Sequence, residues 1–151
     1  MLKLFKESKK EGTRFPTEST WSLLTGEDNG QPLVVRRNDS ASDLLGSSTY
    51  RTRIGIAMPF KRPTAHGMPE KDESEELYRI EDAICQRMGA DELALLVLTI
   101  TGGNVKELVF YTRDPKKAQL AIDAVRRQVT SHLVQNYVED DPEWDLYREF
   151  A

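Results

Sequence analysis

The order of hydrophobic and polar positions divides the chain into stretches of two different periods. Between Tyr50 and Phe60, Ile54, Ile56, Met58 and Phe60 recur at every second position, which predicts a strand with one buried face. Arg53, Gly55 and Ala57 take the other face, where two small side chains in succession leave room for a close approach to the backbone. After the Pro- and Gly-rich loop Lys61 to Lys71 the period lengthens. Leu77, Ile80, Ile84 and Met88 fall at the three-four spacing of one helical stripe, predicting a helix from Asp72 to Met88 that Gly89 stops. Leu93 to Thr101 and Val105 to Thr112 are β-prone runs joined by Gly102-Gly103-Asn104, a hairpin signal. A second helix starts at Asp114-Pro115, where the aspartate caps free N–H groups and proline suits the first turn, with Ala118, Ala121, Ile122, Val125 and Val129 as its buried stripe. Leu133 to Glu139 reads as a last strand. Asp141-Pro142 repeats the Asp-Pro start for a short helix carrying Trp144, Leu146, Tyr147 and Phe150.

Ahead of these elements, Trp21 and Leu23 alternate with Ser22 up to the turn signal Asn29-Gly30, and Leu33 to Arg37 returns after Pro32. Ser40 to Thr49 is a small-residue connection around Leu44 and Leu45. Residues 1–18 hold no continuous period and read as a flexible arm. Met1, Leu2, Leu4 and Phe5 fit a frayed terminus better than a surface-bound turn. Residues 19–151 then form a single α+β domain. From Tyr50 the order strand, helix, strand, strand, helix, strand predicts a ferredoxin-like βαββαβ sandwich, with an N-terminal β-hairpin and a short C-terminal helix added. Right-handed crossovers place both helices on one sheet face. Leu93 to Leu98 is apolar at every position, so both faces of that strand are buried, and the hairpin of Trp21 or a second subunit is expected on the non-helix side.

Composition narrows the class. With 151 residues, 38% hydrophobic and 30% charged, the chain is neither collagen-like nor wholly disordered. Its longest apolar run, Leu93 to Leu98, is far short of the roughly 20 residues of a spanning helix. The N-terminus MLKLFKESKK has no long apolar stretch for secretion, and a lone cysteine cannot form an internal bridge, so a cytoplasmic address is expected. Charge is uneven: residues 1–72 carry 12 basic against 9 acidic side chains, and residues 73–151 carry 9 against 16. Glu139, Asp140, Asp141, Glu143, Asp145 and Glu149 crowd the end, a surface that repels phosphate backbones and favours basic partners.

No residue type in this pattern demands catalysis. Cys85 follows Glu81 and Asp82, which oppose a thiolate, so it reads as a packed thiol. His66 and His132 lack zinc spacing and read as surface or helix-end histidines. The acidic string around Asp141 lacks the glycine and terminal glutamate of a calcium loop, and helix capping accounts for it. No metal and no cofactor is expected. Arg36, Arg37, Arg51 and Arg53, with Lys61 and Arg62, flank strand ends and are candidate anion-binding residues. An RNA-binding sheet would add paired aromatics, whereas Phe110 and Tyr111 are adjacent and face opposite ways, so nucleic acid is disfavoured.

The segments Asn29 to Asn38, Arg53-Ile54-Gly55-Ile56-Ala57-Met58-Pro59-Phe60, Phe110-Tyr111-Thr112-Arg113-Asp114-Pro115 and Asp141-Pro142-Glu143-Trp144-Asp145-Leu146-Tyr147 together resemble the bacterial family catalogued as domain of unknown function 695. The likeness spans about Ser19 to Phe150 and implies a bacterial cytoplasmic α+β domain, with no catalytic residues to carry over. The final strand and acidic ending are also similar, over the βαββαβ half alone, to the regulator of ribonuclease E activity B family. The expected function is a non-catalytic interaction or regulatory module that meets a basic protein through Glu139, Asp140, Glu143 and Asp145. The alternatives are a small-anion or ligand-binding domain, or an enzyme, using the arginines and the space beside Gly55 and Ala57. A homodimer through the sheet face is a further option.

Overall fold

A computed structural model describes residues 14–150. The expected arm over residues 1–18, with its turn of Met1, Leu2, Leu4 and Phe5, lies for the most part outside the described residues. β1 (Trp21–Asp28) and β2 (Gln31–Asn38) are joined by Asn29 and Gly30, with φ of 54° and 79°. Two left-handed residues make the tight turn whose twist matches that of the flanking strands. β3 (Thr52–Pro59) precedes α1 (Lys71–Met88), and β4 (Ala94–Gly102) and β5 (Val105–Thr112) form the second hairpin. α2 (Pro115–Gln128), β6 (Gln135–Asp140) and a single turn, α3 (Asp145–Arg148), follow. The Asp114 side chain accepts the Lys117 N–H at 3.1 Å, the cap that the Asp-Pro pair predicts.

The strands form one antiparallel sheet in the order β1-β2-β4-β5-β3-β6, so the fold is of the α+β class. α1 and α2 pack together on one face. There Ile54, Ile56 and Met58 of β3 and Leu108 and Phe110 of β5 meet Leu77, Ile84 and Met88 of α1 and Ile122 and Val125 of α2. Each such side chain contributes about 1.5–3 kcal/mol by leaving water.

The opposite face is covered from within the chain, though not by the hairpin expected there. Ala41 and Leu44 of a 3-10 segment (Asp39–Leu44), Tyr50, Trp144 and Tyr147 pack on Val35, Leu95, Val97, Leu98, Val109 and Tyr111. The hairpin instead lengthens the sheet, because Val34 to Arg37 pair with Leu98 to Thr101 and so satisfy the backbone groups along the edge of β4. Trp21 and Leu23 stay partly exposed as a result. Both faces of Leu93 to Leu98 are buried, with a bulge between Leu96 and Leu98. α1 ends at Met88 and Gly89 caps it as expected, in a right-handed conformation that leads into a 3-10 turn. One boundary differs: the C-terminal helix begins at Asp145 and not at Asp141-Pro142, because Trp144, with φ of 57°, still belongs to the preceding turn.

Candidate functional site

β6 is an outer strand, paired only with β3, and the turn after it is closed by α3. Side chains along this segment have two fates. Asp141, Trp144 and Tyr147 are buried, whereas Glu139, Asp140, Glu143, Asp145 and Glu149 are exposed. The Trp144 ring stacks on Tyr111 with centroids 4.0 Å apart, meets Tyr147 edge-on at 5.6 Å, and donates from Nε1 to the Tyr50 carbonyl at 2.8 Å. Tyr147 Oη donates to the Asn38 carbonyl at 2.8 Å. The exposed carboxylates therefore project from an anchored base.

Asp141 ties that base to the sheet. Its Oδ2 accepts from Arg53 Nη1 at 2.6 Å and Tyr111 Oη at 2.8 Å, and its Oδ1 accepts the Asp145 N–H at 2.9 Å. Burial pushes the Asp141 carboxyl up, but the Asp145 N–H, the Tyr111 hydroxyl and Arg53 together hold it below the ordinary aspartate value. Arg53 also reaches Glu139 at 2.9 Å. The Tyr111 hydroxyl is pushed up, by burial first and then by Asp141. An added Cβ at Gly55 would lie 2.0 Å from the Tyr137 ring, so Tyr137 fills the room predicted beside that glycine.

The four candidate arginines do not converge. Arg36 points to the helix side, bonding Glu81 at 2.8 Å beneath Trp21 and Tyr78. Arg37 pairs with Asp39 at 2.8 Å and donates to the Phe150 carbonyl. Arg53 is held by Asp141 and Glu139, and Arg51 is exposed. Lys61 and Arg62 donate their backbone N–H groups to Glu73.

Two buried polar clusters were not anticipated. Lys106 lies on the apolar side of β5 in line with Leu108 and Phe110; its Nζ is 2.7 Å from Glu81 and 3.6 Å from the Tyr78 ring centroid. Burial lowers the Lys106 pKa, against the pull of Glu81. A lysine at that alternation, and a glutamate within the stripe Leu77, Ile80, Ile84, is the sequence signal that marks the pair. Glu73 and His132 form the second cluster, with both side chains fully buried and His132 Nε2 2.7 Å from Glu73. This places His132 inside and not at the surface, because its partner arrives from the start of α1, 59 residues earlier. Burial pushes the Glu73 carboxyl up, yet the Lys61 N–H, His132 and the Arg62 N–H keep it below its ordinary value.

His66 is exposed. Cys85 is half-buried, and burial, then Glu81 and Asp82, push its thiol up to about 12, so little thiolate forms at neutral pH. Among the described residues no three His, Cys, Asp or Glu side chains are grouped to hold a metal ion. No helix of the described residues is long and apolar enough to cross a membrane. Neither the curated proteins nor the solved structures contain a match to this chain. Residues 19–151, from just before β1 through α3, match the model of a family of unknown function, DUF695, and the chain belongs to that family.

Proposed function

We propose that this chain is a non-catalytic protein-interaction module that meets a basic protein surface through Glu139, Asp140, Glu143 and Asp145. The observation that carries the reading is the contrast along one segment: these four carboxylates are exposed while Asp141, Trp144 and Tyr147 between and after them are buried. Anchoring lowers the ordering entropy that a loose acidic tail would lose on binding. Tyr137 and Val138, both partly exposed on the same outer strand, add apolar area beside the charges. The strand order β6-β3-β5-β4 supports reading the βαββαβ half as a ferredoxin-like sandwich. Together with the likeness of the final strand to ribonuclease E regulators, it makes a basic surface of a bacterial cytoplasmic ribonuclease the first partner class to test.

The test is affinity capture with the wild-type chain and with a variant carrying Glu139→Lys, Asp140→Lys, Glu143→Lys and Asp145→Lys, at about 0.1 M and about 1 M salt. The variant is expected to melt near the wild type and to lose the basic partners, which high salt also releases from the wild type. Retention of the same partners by the folded variant at the same salt overturns the reading.

A further inference from the structure

A cavity of about 210 Å³ lies on the helix side of the sheet, away from the acidic segment, between the first half of α1, the loop before it and the ends of β2, β4 and β5. Val34, Met68, Pro69 and Leu77 give it apolar walls, and Ser74 and Thr101 bring hydroxyls. Lys106 lines it as well, though its side chain is only 4% exposed. Glu81 faces two cations, with Lys106 at 2.7 Å from one oxygen and Arg36 at 2.8 Å from the other. The cluster therefore carries one surplus positive charge over a buried Lys106 and a part-exposed Arg36, and on the buried lysine side a matching anion offsets it. An ammonium has three donors. Among the described residues, Lys106 Nζ meets only the Glu81 carboxylate and the Tyr78 ring face, so it retains donor capacity toward the cavity.

We propose that this cavity binds a small monocarboxylate with an apolar body, its carboxylate on Lys106 and its body against Val34, Met68, Pro69 and Leu77. One surplus charge matches a monoanion, whereas a phosphate dianion would need further donors in place of these apolar walls. At about 30 Å³ per water the space equals about seven waters, which suits a ligand of roughly seven to ten non-hydrogen atoms. Benzoate is such a probe, and benzamide is its neutral counterpart of the same shape. The site shares no residue with the acidic segment, so it stands or falls apart from the docking reading.

Methyl-resolved NMR titration of the whole chain tests it. Benzoate is expected to give saturable shifts at the methyl groups of Val34, Met68 and Leu77, with a Kd at least about tenfold below that of benzamide, or about 1.4 kcal/mol. Ser74→Leu, which fills the cavity without touching the ion pairs, should abolish those shifts at an unchanged melting temperature. Lys106→Met should erase the preference for benzoate over benzamide. Because that change leaves Glu81 with Arg36 as its one cation and can unfold the chain, Ser74→Leu and the benzamide comparison decide the matter if it does. Absence of saturation up to about 10 mM benzoate, equal binding of benzamide, equal or tighter binding of inorganic phosphate, or undiminished binding to folded Ser74→Leu or Lys106→Met overturns the proposal.

Discussion

Trp144→Ala removes the side chain on which the non-helix face depends, and its cost follows from the geometry. The indole is fully buried between Tyr111 and Tyr147. A buried tryptophan hides about 150–250 Å². At about 25 cal/mol per Å², and after subtracting what alanine still buries, the lost transfer term is about 4 kcal/mol. The Tyr50 carbonyl also loses its Nε1 donor in a buried setting, which adds about 1–3 kcal/mol. Because areas taken against an extended chain are upper bounds, the expected loss is about 5 kcal/mol, comparable with the whole stability of a marginal domain. Trp144→Phe keeps most of the ring burial and loses the donor, so it should cost about 1–3 kcal/mol. Urea unfolding followed by far-UV circular dichroism separates the two, since Trp21 would confuse a fluorescence readout of the alanine variant. A loss below about 2 kcal/mol for Trp144→Ala at an unchanged urea slope, or equal losses for both variants, would refute the account of how this face is held.

Leu96→Asp and Val97→Asp each place an unpaired charge on a different buried face of β4, so each should abolish the cooperative melt; a folded variant of either would show that its face is open. Acid should act through Asp141 and Glu73, whose folded-state values lie below their ordinary 3.8 and 4.5. Their stabilisation is present above those values and lost as pH falls through the lower folded ones, so the melting temperature should hold to about pH 5 and drop below about pH 4. Asp141→Asn with Glu73→Gln should flatten that drop, and a wild-type curve already flat to about pH 3 would contradict the sign. Cys85, pushed up to about 12, should react with a disulfide reagent far more slowly at neutral pH than a free thiol in the same assay, and equal rates would refute its packing.

What could be read from the chain followed the reach of each signal. The alternation of Ile54, Ile56 and Met58, the stripe of Leu77, Ile80, Ile84 and Met88, and the Asn29-Gly30 and Asp114-Pro115 punctuation all encode local geometry, and each element stands where they put it within a few residues. The unbroken run Leu93 to Leu98 announced two covered faces but could not say what covers the second. That is decided by contacts of long separation, Trp144 with Tyr50 across 94 residues and Tyr147 with Asn38 across 109. Glu143 and Asp145 were legible as wet because they interrupt the Trp144 and Tyr147 pattern, whereas Asp141, grouped with them by its charge, is buried because Arg53 and Tyr111 reach it from β3 and β5. Tyr137 over Gly55 was not, since a glycine signals room without naming its occupant. His132 was missed because a single histidine has no period. Glu73, Glu81 and Lys106 did break one, and a charge on the apolar side of an element is where buried pairs should be sought.

The covering of the second sheet face has a consequence for synthesis. Val35, Leu95, Val97, Val109 and Tyr111 all leave the ribosome before Trp144 and Tyr147, the side chains that close over them. From Thr112 to Tyr147 a ribosome needs about 2–7 s at about 5–20 residues per second. Hairpins and helices form in microseconds. The nascent chain can thus hold a partly assembled sheet with one apolar face open for seconds, long enough to engage a chaperone or a second nascent copy, and completion of the fold waits on the emergence of residues 141–150 from the ribosome.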